Sequence, residues 1–457
     1  MEPNLDDAGQ TWNLQLAASD VVPGLSVDAI VDPDNAVPET DESDNAYPAG
    51  EGTVPLAVQS MPPLPVVFVP ITSTFHGSVA NVTPQTATDL LSSAWKWLPV
   101  SDFEVTIHAP LTSNHDLSTD VGWSSLLADV QALRTLEGAT AQYYHGVIGQ
   151  VSSPRYGGLA YLPGLPGNVF RSALSLGTVS TSASIVAHEL GHNLGRPHAP
   201  CGNPPGPDPL YPHPNGRIGF PGFDIVAGTM RPSTMFDYMS YCDPDWTSDY
   251  TYGAIRAWRL ADPYAAPGPL MAAARPATDG LLIWGQIGSG GVILNPAVAS
   301  QARPVLPDSP GENTLWGRAA NGSELFRFTF DAARVEDGED PNARHFAFFV
   351  PLAPDAIDAL TEIGVGTPLG SATVTPSTGP AAVGAPAPPS EPTFTRIGPD
   401  LVEVRWDAGR YPLAVIRDRT TGEVLSFARG GATQVRAAFP EDLAIVASDG
   451  TRTVPLN

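Results

Sequence analysis

A-H-E-L-G-H-N-L-G-R-P-H-A-P-C, residues Ala187–Cys201, carries three histidines and a glutamate at spacings that decide how the chain is read. On an α-helix positions i and i+4 lie one above the other, so His188 and His192 present two nitrogens to one ion. Glu189 projects from the adjoining edge, near enough to take a proton from a metal-bound water without being a ligand. Gly195, free to adopt positive φ, lets the helix end and the chain swing back, which brings in His198 as third ligand. Three neutral imidazoles leave a tetrahedral Zn2+ one open position, the catalytic rather than the structural pattern. The expected chemistry is attack by a zinc-activated water, with Glu189 as general base and then as proton donor to the leaving amine. A bare H-E-x-x-H also suits a solvated helix face, but the extended pattern fixes five positions at once.

The remaining composition narrows the partners. With 23 Lys+Arg against 48 Asp+Glu, the net charge of −25 repels nucleic acid and anionic membrane surfaces and leaves no basic footprint for either. No stretch of about 18 apolar residues exists, so no membrane span is expected. The first residues, M-E-P-N-L-D-D, lack the basic and apolar segments of a signal peptide. Either the protein is cytoplasmic or the chain begins inside a longer secreted protein, and a secreted or cell-surface location is the expectation. The two cysteines, Cys201 and Cys242, each follow a chemically loaded segment. They read as a disulfide joining the two segments or as a pair of inert thiols.

Plentiful proline (49) and glycine (44), with short β-branched bursts, predict many strands and few helices. Residues 1–62 read as a β-rich segment with short runs such as Trp12–Leu16 and Thr53–Val58. Around V-D-P-D-N-A-V-P-E-T-D-E-S-D-N (Val31–Asn45) it resembles the end of a surface-protein β-sandwich. Asp28, Asp32, Asp34 and Asp41 offer Ca2+ a possible but unassigned site, or simply a solvated acidic turn. From Pro65 a strand–helix alternation begins. Val66–Ile71 is a strand, and Thr83-Pro84 starts a helix that runs through Leu98 to Pro99. Phe103–His108 is a strand, and Leu126, Leu127, Val130, Leu133 and Leu136 mark a helix face. Gln142–Ile148, Gly157–Pro163 and Val169–Leu176 are strands, and Ser180 and Ser182 are candidate caps for the histidine helix. The crossovers make the first three strands parallel. The reading is therefore an α/β (α+β) catalytic domain over 63–264, flanked by all-β sandwich-like domains. Proline-rich linkers separate a β-sandwich at 278–375 from a small β domain at 390–457.

H-E-x-x-H-x-x-G-x-x-H resembles the signature of the metzincin zinc metalloproteases. The resemblance covers about Pro65–Pro263 and implies a mixed five-stranded sheet, an active-site helix and a methionine turn beneath the ligands. T-M-F-D-Y-M-S-Y-C (Thr234–Cys242) offers Met235 and Met239. Met239 is the expected turn residue, because Met239-Ser240-Tyr241 matches the arrangement of astacin-like and serralysin-like members. The resemblance then makes Tyr241 a stabiliser of the developing oxyanion. Ala199, after the third histidine, is neither the Asp of reprolysins nor the Glu of astacins, and no cysteine lies upstream of the zinc helix, so no subfamily follows. A-P-C-G (Ala199–Gly202), Y-P-H-P-N-G-R-I-G (Tyr211–Gly219) and the segment Asp237–Tyr250 look like those of bacterial secreted metzincins with β-rich C-terminal domains.

In metzincins the fourth strand is a free edge that pairs with substrate, which places Gly158, Leu159, Ala160 and Tyr161 against the peptide backbone. Residues 240–250 are expected to wall the pocket, with Trp246 and Tyr250 shaping it and Asp243, Asp245 and Asp249 making it acidic. The function expected is a monomeric endopeptidase acting on protein or glycoprotein substrates outside the cell. The alternatives are a zinc-binding adhesion module without turnover and a hydrolase of cell-wall peptides.

Overall fold

Leu64–Ser73 is apolar on both faces, and every residue except the partly covered Pro65 is buried, as a central parallel strand requires. In the computed structural model this run is β1, the middle of a mixed sheet. The structure describes residues 7–10, 14–41, 43–49, 52–178, 180–265, 276–377 and 391–457.

β1 is followed by the short helices α1 (Pro84–Leu90) and α2 (Ala94–Trp97), then β2 (Phe103–Ile107), β3 (Leu111–Ser113) and α3 (Asp120–Leu136). Next come β4 (Tyr143–Ile148), β5 (Gly158–Leu162), β6 (Ser172–Leu176), α4 (Ser182–Asn193) and, after a long irregular stretch, α5 (Asp249–Ala261). β2 and β3 pair in succession with one side of β1, and β4, β6 and β5 follow on the other. All are parallel except β5, which runs against β6. The single helix expected from Thr83 to Leu98 is broken at 91–93. Thr83 does cap its start, accepting from the Thr86 amide, with Pro84 in the first turn. Neither Ser180 nor Ser182 caps α4: Thr181 holds the N-cap position and makes no side-chain bond, and Ser182 is already helical.

Two cores flank the sheet. Beneath it, α1, α2, α4 and α5 gather Leu90, Trp97, Val186, Leu190, Met239, Trp246 and Ile255. Above it, α3 is buried continuously from Leu126 to Leu136. Its predicted face (Leu126, Leu127, Val130, Leu133, Leu136) meets the sheet, and its far side meets Leu282, Trp284, Val298, Ala347 and Phe349 from the C-terminal half. These buried apolar side chains fix the two halves together through the hydrophobic effect. The polar residues of α3 are satisfied inside: Arg134 donates to the carbonyls of Gln142, Val169 and Thr140, and Asp129 accepts from Arg429.

Among the described residues the C-terminal half is β apart from the short helix Pro354–Ala359 and a 3-10 turn, Pro440–Asp442. Thr278–Gly288 and Arg344–Pro351 face a four-stranded sheet (Asn313–Ala319, Glu324–Phe330, Leu360–Thr367, Gly370–Val374) across Leu315, Phe330, Phe346, Phe348 and Ile363. Strands between Thr393 and Pro455 close a smaller core around Val402, Trp406, Ile416 and Val435. Both groups join the first sheet: Val424–Arg429 bridges β3, and the short strand Ala333–Glu336 pairs with β5. The N-terminal expectation fares differently. Residues 7–63 form two-residue ladders (Ser26–Val27 with Val54–Pro55, Ala29–Ile30 with Ala46–Tyr47), and no described residue there is buried. Among the described residues this segment is an exposed strap; part of the Trp12–Leu16 run lies outside the described residues.

Candidate metal centre

Helix α4 is held by its apolar face: Val186, Ala187, Leu190 and, just beyond its end, Leu194 lie in the lower core. The amide of Asn193 ties its last turn to the sheet through the carbonyls of Tyr161 (2.8 Å) and Ser172 (3.1 Å). Gly195 then takes φ +79°, and a Cβ there would stand 2.4 Å from the Trp258 ring. Glycine is therefore required both for the turn and for the contact. Beyond it His198 returns toward the helix.

Each imidazole is oriented by a backbone carbonyl. Nδ1 of His188 meets the Tyr238 carbonyl at 2.8 Å, that of His192 the Arg196 carbonyl at 2.6 Å, and that of His198 the Pro205 carbonyl at 2.7 Å. A proton on each Nδ1 leaves Nε2 as the free lone pair, the outer hydrogen bonding that metal-ligating histidines use. The Nε2 atoms of His188 and His192 are 3.1 Å apart. Together with His198 and an Asp337 carboxylate oxygen, the donor atoms lie within 4.8 Å of one another. This is the one such group of three or more among the described residues. Asp28, Asp32, Asp34 and Asp41 form no comparable group: Asp32 accepts from the amides of Ala36 and Val37, and Asp41 accepts from Ser43.

The methionine turn lies directly below. Asp237 accepts from the amides of Met239 (2.8 Å) and Ser248 (3.0 Å), and the Tyr238 carbonyl it positions is the one that orients His188. Gly191 makes room for the turn, since a Cβ there would sit 2.4 Å from the Met239 sulfur. Met235 is also buried in the lower core. The segment after His198 is laced to the turn by Ala199 N to Met239 O (2.9 Å), by Tyr241 N to Cys201 O (3.0 Å) and by the Cys201–Cys242 disulfide. Ala199 contributes its backbone only, its methyl lying in the lower core.

Glu189 is buried beside the histidines without joining their donor set. Gly158 lets it lie against β5, because a Cβ at 158 would come within 2.1 Å of Oε1. Burial first, and then the charge of Asp337, push its carboxyl well above the usual range. Asp337 goes the other way: burial alone would raise it, but His192 and its neighbouring imidazoles hold it well below. Glu189 Oε2 has no hydrogen-bond partner, and Asp337 Oδ2 lies 3.1 Å from His192 Nε2 without the alignment of a hydrogen bond. Three imidazoles and an Asp337 carboxylate converging beside an unpartnered Glu189 oxygen suit a bound divalent cation, and the nitrogen-rich set suits zinc.

A cleft of about 380 Å³ opens beside the cluster, lined by Gly157, Gly158, His188, Glu189, Tyr238 and Tyr241 among others. Tyr241 reaches the site: its hydroxyl donates to Asp337, and its ring centroid is 5.1 Å from that of His198. Of the expected wall residues, Asp245 lines the cleft, and burial followed by the charge of Asp243 raises its carboxyl to about 6. Trp246 instead packs edge-on to Trp97 in the lower core, where Gly222 admits its ring. Tyr250 turns away to Asp208 and Arg196, and Asp249 pairs with His213.

The edge expected to be free for substrate is occupied in this structure. β5 is not free, because Ala160, Tyr161 and Leu162 pair antiparallel with Glu336, Val335 and Arg334. Of Gly158, Leu159, Ala160 and Tyr161, only Gly158 lines the cleft. Leu159 and Tyr161 point into the upper core, where the Tyr161 hydroxyl meets His345 Nδ1 at 2.6 Å. Asp337, 139 residues beyond His198, had no sequence signal linking it to the helix. The local string E-D-G-E-D reads only as an acidic turn.

The profile of the family described as Metallo-peptidase family M12B Reprolysin-like matches residues 112–199, from β3 through α4 to the residue after His198. A search among curated proteins finds no match. Among solved structures, a two fibronectin type-III domain segment from chicken tenascin is similar over 40% of this chain and 93% of that one, at 13% identity. Its TM-score of 0.13 is too low to carry an argument. The profile match and the histidine cluster together support a zinc metallopeptidase of the metzincin kind.

Proposed function

We propose that the chain is a zinc-dependent endopeptidase that cleaves extracellular or surface proteins, its catalytic domain spanning 63–264 and its β domains, 278–375 and 390–457, positioning it on the target. The observation that carries this reading is the convergence of three Nδ1-anchored imidazoles beside a buried carboxylate that is not a ligand. His188, His192 and His198 would hold zinc, which when bound supplies a Lewis acid and acidifies water toward neutrality. Glu189, buried beside the histidines without joining their donor set, would take the proton of the attacking water and pass it to the leaving amine. Tyr241 turns its hydroxyl to the developing oxyanion. Met239 floors the site, and the Cys201–Cys242 link braces it. Asp245 in the cleft favours basic or polar substrate side chains, and a library profile with acidic preference contradicts that detail.

A second reading has a specific observation behind it. Asp337 completes a three-histidine, one-carboxylate set, and a closed set is what a zinc-binding adhesion module without turnover would present. The two are separated by Glu189→Gln, made in an Asp337→Ala background so that the extra carboxylate drops out of the comparison. The endopeptidase reading expects both proteins to hold one zinc and only the one with Glu189 to release peptides from casein. Equal behaviour favours the adhesion module.

A further inference from the structure

The strand Ala333–Glu336 lies where a peptide would lie if β5 bound its substrate by strand addition. It runs antiparallel to β5 in the register Ala160↔Glu336, Tyr161↔Val335, Leu162↔Arg334. The next residue, Asp337, has φ +66°, a left-handed conformation uncommon outside glycine, and this bend turns its carboxylate into the metal centre. There the carboxylate stands 2.8 Å from His198 Nε2, 3.1 Å from His192 Nε2 and 3.9 Å from His188 Nε2, and it accepts the Tyr241 hydroxyl. One short segment thus covers the backbone edge, the fourth donor position and the tyrosine that the proposed reaction needs.

We propose that residues 333–337 are an internal, substrate-like inhibitor: the chain folds into a latent form, and the arm must leave before the cleft can work. This rests on the metallopeptidase reading above. What moves is the arm and not the sandwich that carries it. The sandwich is fixed to α3 by the buried apolar contacts described above. The arm pairs with β5 over three residues and with Arg344–Pro351 over two. Val335 and Glu336 are buried, whereas the tip is held by surface contacts: an Arg155–Glu339 ion pair, the Glu339 amide donating to Tyr156 Oη (3.0 Å), and Ser289 donating to Asp340 from its amide (2.6 Å) and hydroxyl (2.7 Å). Exposed pairs of this kind contribute little to stability. Glu339, Pro341 and Asn342 are exposed, so a second endopeptidase can hydrolyse one peptide bond of the tip and free the end of the arm from its anchor.

Three proteins test this: the full chain, Asp337→Ala, and the full chain cut at a specific protease site built in place of residues 339–342. Each is assayed for zinc content, thermal unfolding, calorimetric binding of a peptide hydroxamate, the visible spectrum of the cobalt(II) form, and casein hydrolysis. A tethered competitor acts at an effective concentration of order mM, so opening the arm should tighten hydroxamate binding on the order of 100-fold. The expected result is one zinc in all three, tight hydroxamate binding in the opened pair alone, and a cobalt spectrum that changes with Asp337→Ala. Equal hydroxamate affinity in all three, each holding one zinc, overturns the latch. So does loss of zinc from a stably folded Asp337→Ala, which would make Asp337 a structural ligand. If none of the three binds zinc, the metallopeptidase reading falls and takes the latch with it. Hydroxamate binding that depends on the arm, without casein cleavage, keeps the latch and refutes only the endopeptidase.

Discussion

Gly191→Ala sets two magnitudes against each other. Residue 191 lies inside α4, where alanine is favoured over glycine by up to about 1 kcal/mol, so propensity alone predicts stabilisation. Against that, the added methyl would meet the Met239 sulfur at 2.4 Å, the Tyr238 hydroxyl at 3.0 Å and Met239 Cε at 3.3 Å. All three belong to buried side chains below the metal site, where overpacking costs about 1–3 kcal/mol. Set against a gain of up to about 1 kcal/mol, the net is a loss of roughly 0–2 kcal/mol, centred near 1, which for a domain of this size lowers Tm by a few degrees, about 2–4 °C per kcal/mol. Because the clash falls on Tyr238, whose carbonyl orients His188, and on its neighbour Met239, zinc should dissociate faster. Differential scanning calorimetry and zinc release to a colorimetric chelator measure the two effects. Gly191→Ala in a Met239→Ala background should behave as a mild substitution. A Tm that rises in Gly191→Ala alone, with zinc release unchanged, would refute the packing of the methionine turn against the helix.

Three further outcomes follow from the same geometry. In protein with the arm opened, Gly158→Ala should cut peptide hydrolysis while zinc stays bound, because the methyl displaces Glu189 and not a ligand; undiminished turnover contradicts the placement of Glu189 against β5. Cys201→Ser with Cys242→Ser removes a cross-link over a 41-residue separation, worth about 4 kcal/mol by loop closure, and should speed zinc loss through His198; unchanged unfolding and zinc retention would show the brace to be idle. Asp129 makes the docking of the C-terminal strands acid-sensitive: burial raises its carboxyl, but Arg429 and His115 outweigh that and bring it from 3.8 to about 2. A folded-state pKa below the unfolded one contributes stability above about pH 4 that is lost as pH falls toward 2, here roughly 2 kcal/mol. Arg429→Met should therefore move the acid-unfolding midpoint, followed by tryptophan fluorescence, to higher pH; an unmoved midpoint contradicts the account.

What could be read from the sequence was chemistry confined to one helix and its exit. The spacing of His188, Glu189 and His192 is itself a geometry, and Gly195 marks the turn that returns His198. Met239 and Tyr241 needed a resemblance, because nothing local says that a turn 40-odd residues on lies under the helix. Asp337 and the strand covering β5 were illegible for a stronger reason: a strand's own pattern shows which face is buried but not which neighbour takes its edge. Trp246 illustrates the same limit. An aromatic near a cleft reads as wall or as core, and the space that Gly222 leaves in the core decides the outcome. The buried polar side of α3 was hidden too, since Arg429 and His345, which satisfy it, come from the far C-terminal half.

The central claim is that three histidines and Glu189 divide the labour of peptide hydrolysis, the first holding zinc and the second moving the proton. The most direct measurement is zinc content and peptide turnover on one preparation, comparing Asp337→Ala with Asp337→Ala/Glu189→Gln and Asp337→Ala/His198→Ala. The account predicts one zinc and chelator-sensitive turnover in the first, one zinc with turnover lowered at least on the order of 100-fold in the second, and neither in the third. Turnover that survives in the Glu189→Gln protein, or a full zinc in the His198→Ala protein, would contradict it.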